Sequence, residues 1–311
     1  MSDRLIGQPD LDAAVQRLLA VPDEHRRFTV TGLQARQQHR VPADIQEGLL
    51  AAGLPFRAGP AGPLFDHHDL VNVSLETGLP SAQTLGMQHW SEQLLRPPTG
   101  ETDAWDIRYS FSCPERGHPG PCRVEFLTPD AGRLHEELDR PRPMHKLRHV
   151  SRVQLRRRWP ALRPQMRALV AEAAHWSFAV LPRDLAQDPG FTLRTGLADC
   201  TMGARLLVEE AGRRGIPARF AMGLAVVRPF SLRHCWAEFQ VDGQWVPCDP
   251  VMVNALVRWK LLDESWIPDA SIGSVLARLA GDNVAQAKHN GDYLRALMPT
   301  SPVDHPATAA G

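Results

Sequence analysis

The sequence predicts an α+β fold, in which a mainly helical N-terminal unit precedes a unit of helices packed on an antiparallel sheet. Three observations predict this arrangement. Residues 10–80 contain short runs with apolar side chains at helical spacing, separated by Gly/Pro turns. Residues 200–215 form one amphipathic helix that ends at a glycine. Residues 218–250 have the pattern of strands, with Asp242 and Gly243 as a two-residue hairpin turn.

We divide the chain into four parts on these patterns. They are a small helical, winged-helix-like module (1–80), a mixed connecting region with strands and a basic segment (81–160), the main α+β unit (161–298) and a disordered tail rich in Pro, Ala and Thr (299–311).

Individual elements follow from hydrophobic periodicity and breaker residues. Before the main unit, the pattern predicts helices over 11–19, 41–53 and 69–79 and a strand pair at 106–112 and 123–127. Within it, we expect a helix over 166–180, a loop at 182–190, and, after the hairpin, helices over 253–262, 271–279 and 283–297.

Charge and composition bound the function. The 35 basic and 35 acidic side chains cancel, so no overall field attracts the chain to nucleic acid or to an anionic membrane. Residues 1–80 carry seven arginines against ten acidic residues, which argues against a DNA reader. There is no secretory leader pattern and no run of about eighteen apolar residues. With five widely spread cysteines, these features predict a cytoplasmic protein with reduced thiols, no nucleic-acid partner and no membrane.

Two local features allow more than one interpretation. Residues 133–167 hold eleven basic side chains against three acidic ones, which suits a solvated face or a docking site for an anionic partner, such as an acidic carrier protein or a phosphorylated substrate. Cys113, His118 and Cys122 lie close together in sequence, but no fourth ligand follows at ordinary zinc-finger spacing. We therefore expect a Gly/Pro-rich loop there, with no metal and no cofactor.

Cys200 is the first candidate for chemistry. The apolar residues Met202, Leu206 and Leu207 recur after it at helical spacing, so Cys200 is predicted to lie at a helix N-terminus. The unpaired amides and the dipole of a helix start favour a thiolate, which is the nucleophilic form of cysteine.

His234 and Asp249 lie on the two strands of the predicted hairpin. With a two-residue turn, Val241 faces Gln244 and Trp236 faces Asp249. His234 and Asp249 are then diagonal neighbours on one face of the hairpin, with about 7–8 Å between their backbones. A carboxylate at that distance can hold one imidazole nitrogen while the other takes a thiol proton. The same alternation places Cys235 and Cys248 in the core.

Four stretches then carry a resemblance: DCTMGARLL (199–207), RRGIPARF (213–220), HCWAEF (234–239) and DGQWVPCDP (242–250). Together they resemble successive core motifs of the transglutaminase-like superfamily, over about residues 165–255. The resemblance implies a papain-like core with Cys200 as nucleophile, His234 as general base and acid, and Asp249 as the third member. Trp236 corresponds to the aromatic residue that follows the histidine, beside the substrate.

The second oxyanion donor and the reaction stay open. The amide of Cys200 is one donor, and Trp176 is a second candidate by position, although an indole on an apolar face also suits the core. Such a site supports acyl transfer from a peptide or small-molecule acyl donor to an amine acceptor. A protease or amidase with the same triad, or a non-catalytic binding module, are the alternatives.

Overall fold

The computed structural model describes residues 6–98, 100–114, 118–137 and 147–303. Its helices and mostly antiparallel sheets confirm the predicted α+β class. Across those ranges, every helix is too short or too polar to span a lipid bilayer.

The N-terminal unit combines four helices with a small sheet. Its elements are α1 (Gln8–Leu18), β1 (Phe28–Thr31), α2 (Gly32–Gln38), α3 (Ala43–Ala51), β2 (Arg57–Gly59), β3 (Gly62–Asp66) and α4 (His67–Thr77). Three of the helices lie close to the predicted ranges, and β3 is the middle strand of the sheet. The unit has its own apolar core, which includes Leu11, Val15, Leu49, Phe65 and Leu70.

Helix α4 joins this unit to the rest of the chain. The side-chain amide of Asn72 donates to the carbonyl of Val180 at 2.9 Å and accepts from its N–H at 2.8 Å. One turn later, Glu76 accepts a hydrogen bond from Arg258 at 2.7 Å. The boundary at residue 80 stays a prediction, and these bonds fix the position of α4 against the main unit.

The described residues of the connecting region form one helix and four strands. They are α5 (Ala82–Leu95), β4 (Thr102–Phe111), β5 (Arg123–Thr128), β6 (Gly132–Glu137) and β7 (Leu147–Arg156). The predicted pairing of the strands at 106–112 and 123–127 is wrong, because β4 pairs with β7 and β5 pairs with β6. A short turn at 129–131 joins β5 to β6, whereas a longer loop separates β4 from β5, so closing the nearer hairpin costs less entropy.

Several arginines of the basic segment 133–167 are held by carboxylates of the same chain. Ion pairs of 2.7 to 2.9 Å join Arg152 to Asp106, Arg163 to Asp242 and Arg167 to Asp269. Residues 138–146 of the segment lie outside the described residues. Part of the predicted positive surface is therefore neutralised within the chain.

The main unit is built from short helices around one four-stranded sheet. Its elements are α6 (Pro164–Glu172), β8 (Ser177–Phe178), α7 (Arg183–Ala186), α8 (Pro189–Thr195), β9 (Leu197–Ala198), α9 (Cys200–Arg213), β10 (Ala218–Ala225), β11 (Leu232–Val241), β12 (Gln244–Cys248) and α10 (Pro250–Arg258). The predicted helix over 166–180 ends early, because the chain extends at residue 177 to pair β8 with β9. The predicted loop at 182–190 instead holds α7 and the start of α8, where Asp188 caps the helix and Pro189 suits its first turn.

The C-terminal residues form strands where helices and a disordered tail were predicted. They are β13 (Leu276–Ala280), β14 (Ala287–His289), β15 (Asp292–Tyr293) and β16 (Thr300–Pro302). The helices predicted over 271–279 and 283–297 are therefore wrong. The short apolar run at 276–280 does not distinguish a helix from a strand by itself, and the open edge of β10 provides backbone partners.

The predicted disorder of the tail is wrong for its first residues, because β16 pairs with β4. Residues 304–311 lie outside the described residues. With β13 added, the order in the main sheet is β12-β11-β10-β13, and α9 packs on it through a core that includes Met202, Leu206, Ala237, Phe239 and Val246.

Candidate active site

Cys200 is the first residue of α9, as predicted. Asp199 caps the helix, because its Oδ1 accepts a hydrogen bond from the N–H of Met202 at 2.8 Å. The Cys200 side chain is half-buried, in contact with the edge of a small apolar cluster. The helix start therefore presents its thiol where a reactant can approach, beside amides that have no partner within the helix.

The hairpin that carries His234 and Asp249 has the predicted register. Asp242 and Gly243 have φ angles of 49° and 77°, the left-handed conformation that a two-residue hairpin turn requires. Val241 pairs with Gln244, and the ladder runs without a bulge to its last pair, between residues 237 and 248. Continued by one residue, this register sets Asp249 opposite residue 236, on the face of the sheet that carries His234.

His234 and Asp249 are in direct contact. The imidazole Nε2 lies 2.7 Å from Oδ2 of Asp249, and the two residues are only 3% and 5% exposed. The second carboxylate oxygen of Asp249 accepts from the N–H of Met252 at 2.9 Å, so the same side chain caps α10. Both oxygens are thus fixed, and with Nε2 engaged the remaining imidazole nitrogen, Nδ1, is the one left for the thiol.

The thiol of Cys200 and the imidazole of His234 interact with each other as well. Burial lowers the pKa of His234, but the charge on Cys200 and the hydrogen bonds that the imidazole makes to Asp249 and with Cys200 outweigh it and raise that pKa to about 10. A hydrogen bond with Cys235 and burial raise the pKa of Cys200 above its usual range, while the charge on His234 lowers it. The two groups titrate as one unit, and the imidazolium form is stabilised by a carboxylate on one side and a sulfur on the other.

Cys235 was predicted to be an inert core residue, and it is fully buried. However, it also contacts the nucleophile candidate, because the thiols of Cys200 and Cys235 are hydrogen-bonded. Cys235 and His234 therefore act on the pKa of Cys200 in opposite directions, and Cys235 is part of the environment that sets the reactivity of the nucleophile candidate.

Two glycines allow the close packing that aligns the site. A Cβ at Gly203 would lie 2.6 Å from Cγ2 of Val251, so only glycine lets α9 approach the first turn of α10. A Cβ at Gly223 would lie 2.7 Å from the ring of Trp236 and closer still to the backbone of β13. The Gly203 contact sets the distance from the Cys200 helix to the helix that Asp249 caps, and the Gly223 contact lets Trp236 pack on β10.

Trp236, predicted to neighbour the substrate, is 1% exposed and lies beside the imidazole. The rings of His234 and Trp236 are nearly parallel, 14° apart in plane, with centroids 6.3 Å apart. The indole N–H donates to Glu238 at 3.2 Å, and Arg219 binds the same carboxylate at 2.6 Å. Sequence reasoning missed Glu238, although its alternation with His234 and Trp236 on one strand was a usable signal.

Trp90 was also missed. This residue of α5 is 2% exposed, and its ring packs edge-on against the imidazole of His234 with centroids 4.8 Å apart. Its indole N–H is buried and has no hydrogen-bond partner among the described residues. Because Trp90 comes from the connecting region, 144 residues before His234, no local pattern could have indicated the contact.

Trp176, the predicted second oxyanion donor, lies in the main core and is 7% exposed. Ser177 pairs with Leu197 and Phe178 with Ala198 in parallel, so Trp176 precedes the short strand β8 that lies beside the strand leading into α9. Its indole N–H has no partner within the described ranges. An oxyanion role for Trp176 stays a prediction.

An apolar cleft of about 550 Å³ lies where α5 packs against the start of β11. Its walls come from α5, from the segment that leads into β11 and from residues 293–298, and its apolar lining includes Leu85, Phe230, Leu232, Tyr293 and Leu297. Arg228, Arg233 and Arg295 also line it. The cleft therefore suits an apolar chain that carries a negative charge.

The cleft and the imidazole share one interface. Leu232 and His234 are two residues apart on β11, so their side chains lie on the same face. Trp90 is one helical turn after Gly86, whose added Cβ would lie 3.9 Å from Leu232. The α5–β11 contact that lines the cleft thus continues directly to His234.

The fold and the site define a class of protein, in which a cysteine at a helix start meets a histidine–aspartate pair on an antiparallel sheet. Residues 168–250 match the family described as the transglutaminase-like superfamily, and this segment includes Cys200, His234 and Asp249. The chain thus carries a transglutaminase-like core, and the predicted resemblance is confirmed.

A search of curated proteins finds no match to the chain. Among solved structures, the chain is similar to the crystal structure of a proposed cysteine protease from Cytophaga hutchinsonii, with 10% identity and a TM-score of 0.36 over 67% of this chain and 93% of that one.

Proposed function

We propose that the chain is a cysteine acyltransferase that forms or exchanges an amide bond through a thioester on Cys200. One observation carries the proposal: the imidazole of His234 is bound by Asp249 at 2.7 Å and interacts through its other side with the Cys200 thiol at the start of α9. This is the arrangement that activates a sulfur nucleophile.

In the first half-reaction, the Cys200 thiolate attacks the acyl carbonyl carbon and the carbonyl oxygen becomes negative. The N–H of Cys200 is the proposed first donor to that oxyanion. When the tetrahedral intermediate collapses, the bond from carbon to the leaving group breaks, and the imidazolium of His234 gives its proton to that group. The products are a thioester and a neutral imidazole still held by Asp249.

In the second half-reaction, an amine attacks the thioester while His234 removes a proton from the nitrogen. The C–S bond then breaks, the amide leaves, and the proton on His234 again stabilises the released thiolate. Water in place of the amine would give a hydrolase with the same triad. We favour an amine, because Trp90 and Trp236 pack against the imidazole and limit the access of water to it.

We propose that the acyl donor binds in the apolar cleft. Substitution Gly86→Leu would fill it where α5 approaches Leu232. If the added side chain excludes two methylenes of an octanoyl chain from the cleft, about 1.6 kcal/mol of binding free energy is lost. For an octanoyl aryl ester, kcat/KM should then fall about tenfold because KM rises, whereas an acetyl ester should show little change. Gly212→Leu, on an open stretch of α9, is the matched control. Equal losses for both esters would exclude this cleft.

The acidic carrier protein and the cytoplasmic setting stay proposals. A carrier at residues 133–167 would make turnover of carrier-bound donor fall with salt, while turnover of a free thioester would not. A cytoplasmic location is consistent with a nucleophilic thiol and with the reduced thiols of Cys235 and Cys248 in the core.

The decisive experiment is to trap the acyl-enzyme. The protein is incubated with aryl esters and acyl thioesters, quenched in acid and digested, and the adduct is located by mass. We expect the acyl group on Cys200, an adduct that disappears in Cys200→Ala, and faster loss of the adduct as a primary amine is added. The control Cys248→Ser changes a fully buried thiol and should retain the adduct.

The outcomes separate the three classes. Release of free acid at a rate that is independent of amine would identify a hydrolase. A folded protein that forms no adduct with either type of donor would identify a non-catalytic binding module and overturn the proposal.

A further inference from the structure

A second cluster of side chains lies away from the candidate active site, at the start of β5 and the end of β14. Cys113, His118 and Cys122 come from the loop between β4 and β5, and His289 is the last residue of β14. The four potential ligand atoms all lie within 4.8 Å of one another. The sequence indicated only the first three, because 167 residues separate Cys122 from His289.

We propose that these four residues bind a zinc ion that stabilises the fold. In a tetrahedral site with ordinary Zn–S and Zn–N distances, neighbouring sulfur and nitrogen ligands are about 3.5 Å apart, and two sulfurs about 3.8 Å. Nε2 of His289 lies 3.1 Å from Sγ of Cys122 and 3.7 Å from Sγ of Cys113. The side chains therefore already have nearly the spacing that a shared ion would impose.

Hydrogen bonds outside the cluster orient two of the ligands. Nδ1 of His118 lies 3.1 Å from the carbonyl of Pro119 and 3.5 Å from the side-chain amide of Asn290, which leaves Nε2 as the nitrogen available to a metal ion. Asn290 also bonds to Arg123 through its N–H and its side chain, both at 2.9 Å. The two bonds between Asn290 and Arg123 hold the end of β14 beside Cys122. Hydrogen bonds that position the ligands in this way are typical of metal sites.

Charge and burial fit zinc. Cys122 and His289 are 1% and 5% exposed, while Cys113 and His118 are half-buried. Two thiolates and two neutral imidazoles balance the charge of Zn²⁺, so the bound site is neutral, and binding releases the two thiol protons. Four protein ligands leave no open position for a substrate, which indicates a structural ion rather than a catalytic one.

The ion would fasten the C-terminal strands to the connecting region. Residues 293–298, which form one wall of the apolar cleft, follow β14 directly. This inference does not depend on the proposed acyl transfer, since neither the ligands nor the assay involves Cys200.

The test is metal analysis of the folded, full-length protein. Protein purified without chelators should carry one zinc per chain. Apo-protein titrated with Co²⁺ should saturate at one equivalent with the intense visible bands of tetrahedral cobalt and a thiolate-to-cobalt charge-transfer band, both abolished by Zn²⁺. Cys113→Ser and His289→Asn should lose these signals, whereas His135→Asn, on β6 of the same sheet, should retain them.

Three results would overturn the proposal. The first is wild-type protein that is folded by circular dichroism but binds neither zinc nor cobalt. The second is a set of weak cobalt bands typical of octahedral coordination. The third is a disulfide between Cys113 and Cys122 in freshly purified protein, seen as the loss of two hydrogens in mass. The wild-type spectra decide the question even if a variant does not fold. Labelling of Cys200 provides a separate measure of the acyl-transfer site.

Discussion

Replacing Asp249 by asparagine separates the two tasks of this side chain. In the wild type, Oδ2 binds His234 at 2.7 Å and Oδ1 caps α10 through Met252 at 2.9 Å. Asparagine retains an oxygen for the cap but turns an N–H₂ group toward Nε2. The imidazole must then carry its proton on Nδ1, the nitrogen that faces the thiol, and it can no longer accept the proton of Cys200.

The expected magnitudes follow from these contacts. Loss of the correct tautomer in a comparable Ser-His-Asp triad lowers the rate about 10⁴-fold, so we expect acylation to slow by about 10³ to 10⁴, or about 4 to 5.5 kcal/mol in the barrier. Because the cap is retained, the free energy of unfolding should change by no more than about 1 kcal/mol. In Asp249→Ala the cap is lost too, which should cost about 1 kcal/mol more.

Single-turnover acylation with an aryl ester measures the chemical step, and urea unfolding measures stability. Asp188→Ala, which removes the cap of α8, is a control for the loss of a helix cap without an effect on acylation. The reasoning fails if Asp249→Asn acylates at the wild-type rate. If this variant instead fails to fold while acylation per folded molecule is unchanged, Asp249 has a structural role.

Three other predictions concern groups around the site and in the N-terminal unit. Cys235→Ala removes the hydrogen bond that raises the pKa of Cys200, so the pH at which iodoacetamide alkylates Cys200 should move down; an unchanged profile would contradict the coupling of the two thiols. Burial lowers the pKa of His39 to about 4. As the pH falls below 6.5, His39 is therefore protonated in the unfolded chain before it is protonated in the folded one, and about 3 kcal/mol of the free energy of unfolding should be lost between pH 6.5 and 4. His39→Gln should flatten that part of the curve measured by urea unfolding, and equal slopes would refute the assignment. Gly203→Ala should destabilise the protein by about 1 to 3 kcal/mol, and adding Val251→Ala should recover part of the loss in thermal unfolding if their contact is the cause.

The positions of Cys200, His234 and Asp249 were predictable because each is set by a pattern of residues close to it in sequence. A helix start locates Cys200, and a two-residue turn fixes the register that brings His234 and Asp249 to one face. Both signals span only a few residues. The α+β class follows from the same patterns.

Residues brought in by tertiary packing were not predictable. Trp90 reaches the imidazole from a distant helix, and His289 reaches the two thiols from a strand that the pattern assigned to a helix. The C-terminal strands are short and depend on the open edges of sheets made earlier in the chain, so their own sequence contains little of the information that determines them.

Folding during synthesis is affected by the position of the last strands in the sequence, because they complete sheets that begin much earlier in the chain. The residues from Leu276 to Pro302 supply β13 to the sheet that bears His234, β14 and β15 to the sheet of β5, and β16 to the sheet of β4. While the ribosome is still making the middle of the protein, all three of these sheets have an unpaired edge. The nascent chain therefore exposes open strands until its final segments emerge, and it is in this interval that aggregation competes most strongly with folding.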